Sequence, residues 1–179
     1  MRTVILNGSP HGEGHTAALL HQVKRHLSGE VQQFDAFSLA LAPCRDCRAC
    51  QSTFGCTLPP DQMEPVLAAL QNCDRLILAS PIWLETLTPP LLALLSRLQP
   101  FFYHKDKRPQ GIQKAGLLLT GGGSGGAQGA YHTAKVAFWQ LNVEEHFPLI
   151  ASTRTDTCPA RLDDKALAKA AELAAWLNE

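Results

Sequence analysis

The chain has 179 residues, a length that suits one domain with one buried core and is too short for two ordinary domains. Its 16 basic side chains balance 16 acidic ones, so the formal net charge is zero. A neutral chain lacks the excess of Lys and Arg that favours nucleic acid or an anionic membrane, and we expect neither partner. No run approaches the roughly 20 apolar residues of a membrane-spanning helix. The first residues do not resemble a signal peptide, so we expect a cytoplasmic protein.

Short apolar runs alternate with longer amphipathic runs along the chain. Predicted strands cover residues 2–7, 31–39, 75–79, 114–120 and 143–150. Predicted helices cover residues 16–27, 61–72, 89–98, 128–141 and 163–178. This alternation predicts an α/β fold in three layers, with helices on both faces of a parallel sheet and one domain over residues 1–179. Ligands of such sheets bind outside the carboxyl ends of the strands, so the loops that follow the strands are informative.

The loop after the first strand is rich in glycine and leads directly into a helix. It reads Asn7-Gly8-Ser9-Pro10-His11-Gly12-Glu13-Gly14-His15-Thr16. Such a turn favours a phosphate, because free backbone amides and the positive end of the helix dipole face the ligand. The hydroxyls of Ser9 and Thr16 and the imidazole of His11 or His15 are further candidate donors. The Gly-Lys-Ser/Thr ending of a Walker A loop is absent. The alternative is an ordinary strand-to-helix turn with a Thr cap.

Two later strand ends carry loops that fit a flat aromatic ligand. The loop after the third predicted strand contains Pro81-Ile82-Trp83-Leu84-Glu85, which offers an apolar and aromatic surface. The loop after the fourth reads Thr120-Gly121-Gly122-Gly123-Ser124-Gly125-Gly126, where missing side chains let the backbone approach a ring. An isoalloxazine ring needs both features. The alternative for the glycine run is a flexible surface loop.

The irregular segment 40–60 holds four of the six cysteines, in the pattern Cys44-x-x-Cys47-x-x-Cys50-x5-Cys56. Soft sulfur ligands select iron–sulfur clusters or zinc. The tight spacing favours a cluster over a zinc ribbon, in which two Cys-x-x-Cys pairs stand further apart. Arg45 and Arg48 would offset the charge of bound thiolates. Zinc and free redox thiols remain as alternatives.

The Gly-Ser-Pro and Gly-His-Thr segments, the Ser-Pro-Ile-Trp segment and the glycine run together resemble one known group. It is the NADPH-dependent FMN reductase and iron–sulfur flavoprotein group of the flavodoxin-like superfamily. The resemblance covers nearly the whole chain and implies a flavodoxin-like three-layer sandwich whose five-stranded parallel sheet has the order 2-1-3-4-5. It differs at two positions, where His11 replaces a frequent Arg and Glu85 replaces a Gly or another small residue.

The resemblance also implies a set of site residues and a cofactor, FMN. Ser9, His11, His15 and Thr16 would surround the phosphate of FMN. The flavin would be lined by Pro81, Ile82, Trp83, Leu84 and Glu85, and its pyrimidine side closed by Thr120, Gly121, Gly122 and Gly125. A 4Fe–4S cluster near FMN would be held by Cys44, Cys47, Cys50 and Cys56.

Three functions follow as hypotheses. The first is an FMN-dependent oxidoreductase that passes electrons from NAD(P)H to a quinone, a flavin, or an azo or nitro compound. The second is an iron–sulfur flavoprotein that takes electrons from ferredoxin through the 4Fe–4S cluster. The third is a cysteine-rich metal-binding module without enzymatic activity. The resemblance and the very apolar helix predicted at 89–98 further imply a homodimer or homotetramer, unless that helix is buried within the chain.

Overall fold

A computed structural model of the chain describes residues 1–58 and 61–179, so the last two residues of the predicted cysteine-rich segment lie outside it. The strands are β1 (Arg2–Asn7), β2 (Glu30–Asp35), β3 (Arg75–Pro81), β4 (Lys114–Gly121), β5 (Glu145–His146) and β6 (Ile150–Thr153). The helices are α1 (His15–His26), α2 (Met63–Gln71), α3 (Pro89–Ser96), α4 (Gln99–Tyr103), α5 (Ala127–Gln140) and α6 (Asp164–Asn178).

All strand pairs between these elements are parallel, in the order β2-β1-β3-β4-β5, with β6 also paired to β4. This confirms the predicted α/β fold and the order 2-1-3-4-5. The register aligns Asn7 of β1 with Asp35 of β2 on one side and with Ala79 of β3 on the other. Pro81 of β3 pairs in turn with Thr120 of β4. The carboxyl ends of the central strands therefore meet at one edge of the sheet.

The sheet separates two apolar cores, which gives the three layers. Alternate residues of the buried strands face opposite sides, so Leu76 and Leu78 belong to one core and Ile77 to the other. The first core is completed by α2, α3 and α5, and the second by α1 and α6. Each fully buried leucine or isoleucine contributes about 2 kcal/mol by removing its side chain from water.

The fifth predicted strand is broken, and this corrects the prediction of one strand over residues 143–150. Its two pieces are β5 and β6, which pair with opposite ends of β4. Pro148 lies between them and has no amide hydrogen to donate to a ladder, which accounts for the interruption.

The apolar helix predicted at 89–98 is mostly buried within the chain. Leu91, Leu94, Leu95 and Leu98 are all at most 8% exposed. The helix ends at Ser96, and α4 starts three residues later with a proline in its first turn. Burial within the chain accounts for most of its apolar character without a partner. Among the described residues, no helix has the length and hydropathy needed to cross a membrane.

The cysteine loop, residues 40–60, is attached to the end of α3. Ser96 Oγ, in the last residue of this helix, accepts from the Cys44 amide at 3.1 Å. Arg97 follows α3 and is 3% exposed. Its Nη1 donates to the carbonyl of Ala42 at 2.8 Å and to Asp61 Oδ2 at 2.6 Å, and its Nη2 donates to Asp61 Oδ1 at 3.2 Å. Asp61 Oδ1 also accepts from the Met63 amide at 3.0 Å, so the same carboxylate supports the start of α2.

Removing the Asp61 charge should cost stability in a pH-dependent way. Hydrogen bonds from Arg97 hold the pKa of Asp61 below its usual range. The carboxylate therefore stabilises the fold above its unfolded pKa, and this stabilisation is lost as the pH falls through the lower folded-state pKa. We expect Asp61→Asn to lower the free energy of unfolding by about 3 kcal/mol at neutral pH, because Arg97 stays buried without a counterion. Urea unfolding should show this difference shrinking below about pH 4.

Asp46→Asn is the control for this measurement. Asp46 pairs with Arg48 at 3.3 Å, but the two side chains are 76% and 67% exposed. A pair this exposed contributes little to the free energy of unfolding. If both variants lost the same free energy of unfolding, the buried ion pair would not be the source of the loss. The same would follow if the loss in Asp61→Asn did not change with pH.

Candidate functional site

The loop that follows β1, residues 8–14, is held by the last residues of β1 and β2. Asn7 is 5% exposed, and its Nδ2 donates to Asp35 Oδ1 at 2.7 Å. Its Oδ1 accepts from the Ser9 amide at 3.0 Å. Asp35 Oδ1 also accepts from Gln33 Nε2 at 2.6 Å. Neither Asn7 nor Asp35 is among the predicted site residues, although each ends a strand with a polar side chain, and together they fix the first turn of the β1 loop.

The two hydroxyls predicted to face a phosphate are engaged within the protein. The Ser9 hydroxyl accepts from the His11 amide at 3.2 Å and lies 3.3 Å from the His11 carbonyl. The Thr16 hydroxyl is buried and lies 2.8 Å from the Thr120 hydroxyl. His11 and His15 are exposed. His15 Nδ1 accepts from the Ala160 amide at 3.3 Å, which places the hydrogen of a neutral imidazole on Nε2.

The start of α1 leaves backbone donors for a ligand. The helix begins after Gly14, and no side chain within the described part of the chain caps it. Amides in the first turn of a helix have no partner inside the helix, so those of His15 and Thr16 are available to water or an anion. A side chain added at Gly12 would meet no atom within 4 Å, so the loop is open on that side.

The loop after β3, residues 82–88, forms a tight turn beside this helix start. The amides and carbonyls of Trp83 and Thr86 bond reciprocally at 3.0 Å. Leu84 and Glu85 between them have φ angles of 49° and 61°, the left-handed conformation in which glycine is favoured. Trp83 is 43% exposed and Leu84 99%, so the turn presents a large apolar surface. The ring of Phe37 meets Trp83 edge to face, 5.8 Å between centroids.

Glu85, the predicted departure from the family pattern, connects the turn to α5. Its carbonyl accepts from the Ala130 amide at 3.0 Å. Its Cγ lies 2.7 Å from the place that a Cβ on Gly126 would occupy. The side chain of Glu85 thus lies along the glycine loop instead of pointing away from it.

The glycine loop after β4, residues 122–126, is packed on one side and open on the other. The carbonyls of Gly121 and Gly123 accept from the amides of Thr155 and Arg154 at 3.0 and 2.8 Å. A Cβ on Gly122 would lie 2.5 Å from the carboxylate of Asp156. At Gly123 and Gly125 an added Cβ would meet nothing within 4 Å. The open side has the bare backbone that was predicted for contact with a ring.

Hydrogen bonds join the three loops to one another. The buried contact between Thr16 and Thr120 links α1 to the end of β4. The Thr120 carbonyl accepts from the Ile82 amide at 2.7 Å, which links β4 to the β3 loop. Thr88 in turn donates to the Gly8 carbonyl at 2.8 Å, which links the β3 loop to the β1 loop. The predicted phosphate, ring and glycine segments are therefore contiguous at the carboxyl edge of the sheet.

The four cysteines of the motif line one cavity of about 280 Å³ between the cysteine loop and the residues that follow α3. Cys44 Sγ accepts from the Asp46 amide at 3.4 Å. Hydrogen bonds from the Ala49 amide and the Thr57 hydroxyl lower the pKa of Cys47, whereas burial raises the pKa of Cys50. Amide hydrogen bonds to sulfur stabilise thiolates, which are the form that binds metals.

The lining of the cavity fits a sulfur-ligated metal group in its chemistry. Arg45, Arg48 and Arg97 line it beside the thiols and supply positive charge. Within the described residues, however, no three Cys, His, Asp or Glu side chains are placed so as to hold one metal ion.

Known proteins similar in sequence to this chain are named either FMN reductases or iron–sulfur flavoproteins. Residues 1–146 match the model of the family described as NADPH-dependent FMN reductase. An iron–sulfur flavoprotein of Methanocaldococcus jannaschii is 28% identical over 103 residues, 56% of this chain and about half (53%) of that protein. An iron–sulfur flavoprotein of Archaeoglobus fulgidus is 23% identical, covering 100% of this chain and 80% of that one.

Solved structures agree with the fold. The NAD(P)H:quinone oxidoreductase of Methanothermobacter marburgensis superposes with a TM-score of 0.75 at 13% identity, over 100% of this chain and 98% of the other. An FMN-dependent NADH-azoreductase of Bacillus anthracis, solved with FMN, gives 0.70 at 13% identity over 100% of both chains. The family match covers most of the chain and confirms the predicted family, an oxidoreductase family whose flavin is FMN. The chain therefore belongs to the NADPH-dependent FMN reductase family.

Proposed function

We propose that this protein is an FMN-dependent oxidoreductase that passes electrons from NAD(P)H to a small acceptor such as a quinone or a flavin. The observation that carries the proposal is the contiguity of the three loops. A helix start with free amides, an exposed tryptophan turn and a bare glycine backbone lie at one sheet edge, joined through Thr16, Thr120 and Ile82. A phosphate-bearing planar ligand needs these three surfaces together.

The residues of the chain bind and orient, and the flavin supplies the redox chemistry when bound, as hydride acceptor from a nicotinamide and electron donor to an acceptor. The first-turn amides of α1, with His11 and His15 nearby, would hold the phosphate. Ile82 and Trp83 would cover the ring, and the open amides of Gly123 and Gly125 would donate to its polar edge. No side-chain acid or base is required of the protein, which agrees with a site built mainly from backbone.

Four further features stay predictions. The donor is NADPH or NADH, as the family description and the names of the structural relatives indicate. The acceptor is a small molecule, with quinones and azo compounds named for the relatives. The resemblance and the apolar helix predict a homodimer or homotetramer, and light scattering at micromolar concentration measures this oligomeric state. The sequence predicts a cytoplasmic location.

The proposed function is tested with the full chain and FMN. We expect added FMN to lose fluorescence and change its visible spectrum on binding, because the ring leaves water and contacts Trp83. The loaded protein should then oxidise NADPH or NADH in the presence of a quinone. Protein that leaves the FMN spectrum unchanged at saturating concentration would refute the proposal.

A variant at the end of β1 tests whether the β1 loop recognises the phosphate of FMN and not its ring. Asn7→Ala removes the acceptor of the Ser9 amide and the partner of Asp35, so the turn that presents the phosphate donors loosens. We expect FMN affinity to fall about tenfold or more, the effect of losing one buried hydrogen bond, while affinity for riboflavin, which has no phosphate, changes much less. Titrations of both ligands followed by flavin fluorescence give the ratio.

Asn72→Ala is the matched control, because the Asn72 side chain donates to the Ala68 carbonyl on α2, away from the three loops. It should leave both affinities unchanged. An equal loss of FMN and riboflavin binding in Asn7→Ala would show that the loop does not hold the phosphate.

A second candidate function rests on the cysteine cavity. All four motif cysteines line it, with arginines beside them, and two relatives are named iron–sulfur flavoproteins. The candidate is electron transfer from ferredoxin to FMN through a 4Fe–4S cluster, for which Cys44, Cys47, Cys50 and Cys56 would supply the thiolates. This alternative keeps the flavin site and changes the electron donor.

Iron and sulfide analysis distinguishes the two functions. If the cavity holds a cluster, protein isolated without oxygen should contain about four irons per chain, and Cys56→Ser should reduce this content strongly. Cys158→Ser is the control, because Cys158 is exposed and outside the motif. Absence of iron with intact FMN binding would favour the NAD(P)H reductase, and zinc without flavin would favour a metal-binding module.

A further inference from the structure

One buried arginine bonds to both ends of the cysteine loop. Arg97 bonds to the Ala42 carbonyl before the cysteines and, through two nitrogens, to the Asp61 carboxylate after them. It follows α3, and its side chain is almost completely buried. Loss of this planar group would break both bonds together. Other bonds to the loop would remain: the Ala40 amide donates to Gln62 Oε1 at 2.8 Å, the Cys44 amide donates to Ser96 Oγ at 3.1 Å, and His104 Nε2 lies 2.9 Å from the Cys50 carbonyl.

The same guanidinium faces the cavity between these ends. Arg97 lines the cavity together with the four cysteines, and its charge is close enough to interact with Cys56. Its Nε is buried and has no hydrogen-bond partner within the described residues. Arg97 thus combines its bonds to both ends of the loop with a place in the lining of the cysteine cavity.

We infer that Arg97 is the positioning residue of the cysteine loop, holding Cys50 and Cys56 in the cavity by bonding both ends of the loop. The inference goes beyond the proposed function and depends on neither FMN nor a cluster. A purely structural arginine would stabilise the whole fold without controlling this loop in particular. The two possibilities differ in where the chain opens when the arginine is removed.

The chain contains a matched control for a purely structural role. Arg75 is 2% exposed, and its Nε is also buried without a partner in the described part of the chain. Its Nη1 donates to the Ser28 carbonyl at 3.0 Å and to Asn178 Oδ1 at 3.3 Å, at the opposite edge of the sheet. Arg75→Gln therefore removes a comparable buried charge without touching the cysteine loop.

The test is site-resolved labelling of cysteines in the full, reduced chain. Iodoacetamide is applied at one pH to wild type, Arg97→Gln, Arg97→Lys and Arg75→Gln, and mass spectrometry gives the rate at each cysteine. Cys158 is exposed and outside the loop, so its labelling rate serves as the reference for a freely accessible thiol. Cys73 is buried, and burial raises its pKa to about 12, so it is labelled only when the whole domain opens.

We expect Arg97→Gln to raise the rates at Cys50 and Cys56 about tenfold relative to Cys158, with Cys73 unchanged, since loss of the bonds frees the loop locally. Arg97→Lys keeps the charge and loses the planar fork, so a smaller rise is expected. Arg75→Gln should leave the ratios at Cys50 and Cys56 unchanged.

Unchanged labelling of Cys50 and Cys56 in Arg97→Gln would overturn the inference, as would an equal rise in Arg75→Gln or a parallel rise at Cys73. If Arg97→Gln does not fold, Arg97→Lys and Asp61→Asn decide the matter, because both must raise the rate at Cys56 selectively. A wild-type chain that fails to bind FMN would refute the proposed function and leave this comparison intact.

Discussion

Thr120 is the junction on which the candidate flavin site depends. Its hydroxyl bonds to Thr16 at the start of α1, and its carbonyl accepts from Ile82 in the β3 loop. Because Thr120 is 3% exposed, both bonds form away from water, where an unmade bond is costly. The parallel register of β3 and β4 sets the position of this residue, and the glycine loop continues directly from it. The register of the sheet thus sets where the three loops meet.

Much of the fold follows from the sequence because its strands are short, apolar and separated by strongly periodic helices. The limits of β1 agree with the prediction, and those of α6 differ by one residue. The break at Pro148 was not predicted, because the apolar residues Phe147, Leu149 and Ile150 beside it favour one continuous strand. The loops that carry the site were also predicted, since each follows a strand.

The partners of individual side chains were harder to predict. Asn7 and Asp35 are 28 residues apart in the sequence. They meet only because β1 and β2 pair in one particular register. Ser9 and Thr16 were assigned to a ligand by residue type, yet their hydroxyls bond within the protein. The bond between Arg97 and Asp61 spans 36 residues of sequence and depends on the tertiary structure.

The cysteine loop combines several features that favour thiolates. Backbone donors reach Cys44 and Cys47, and arginines surround the cavity, so negative charge on sulfur is stabilised there. Asp46 and Arg48, which alternate with the cysteines, take left-handed backbone conformations with φ of 51° and 61°. Such conformations turn successive amides toward one side, which suits an anionic centre.

Helix α3 has a consequence for any electron that moves between the two regions. Thr88, at its amino end, bonds to the β1 loop, and Arg97, just after its carboxyl end, bonds to the cysteine loop. Eight helical residues span about 12 Å. Helix α3, a rigid element of fixed length, therefore separates the candidate flavin site from the cysteine cavity. Tunnelling rates fall steeply with distance, so the fixed length of this helix would limit the rate of exchange between redox groups at its two ends.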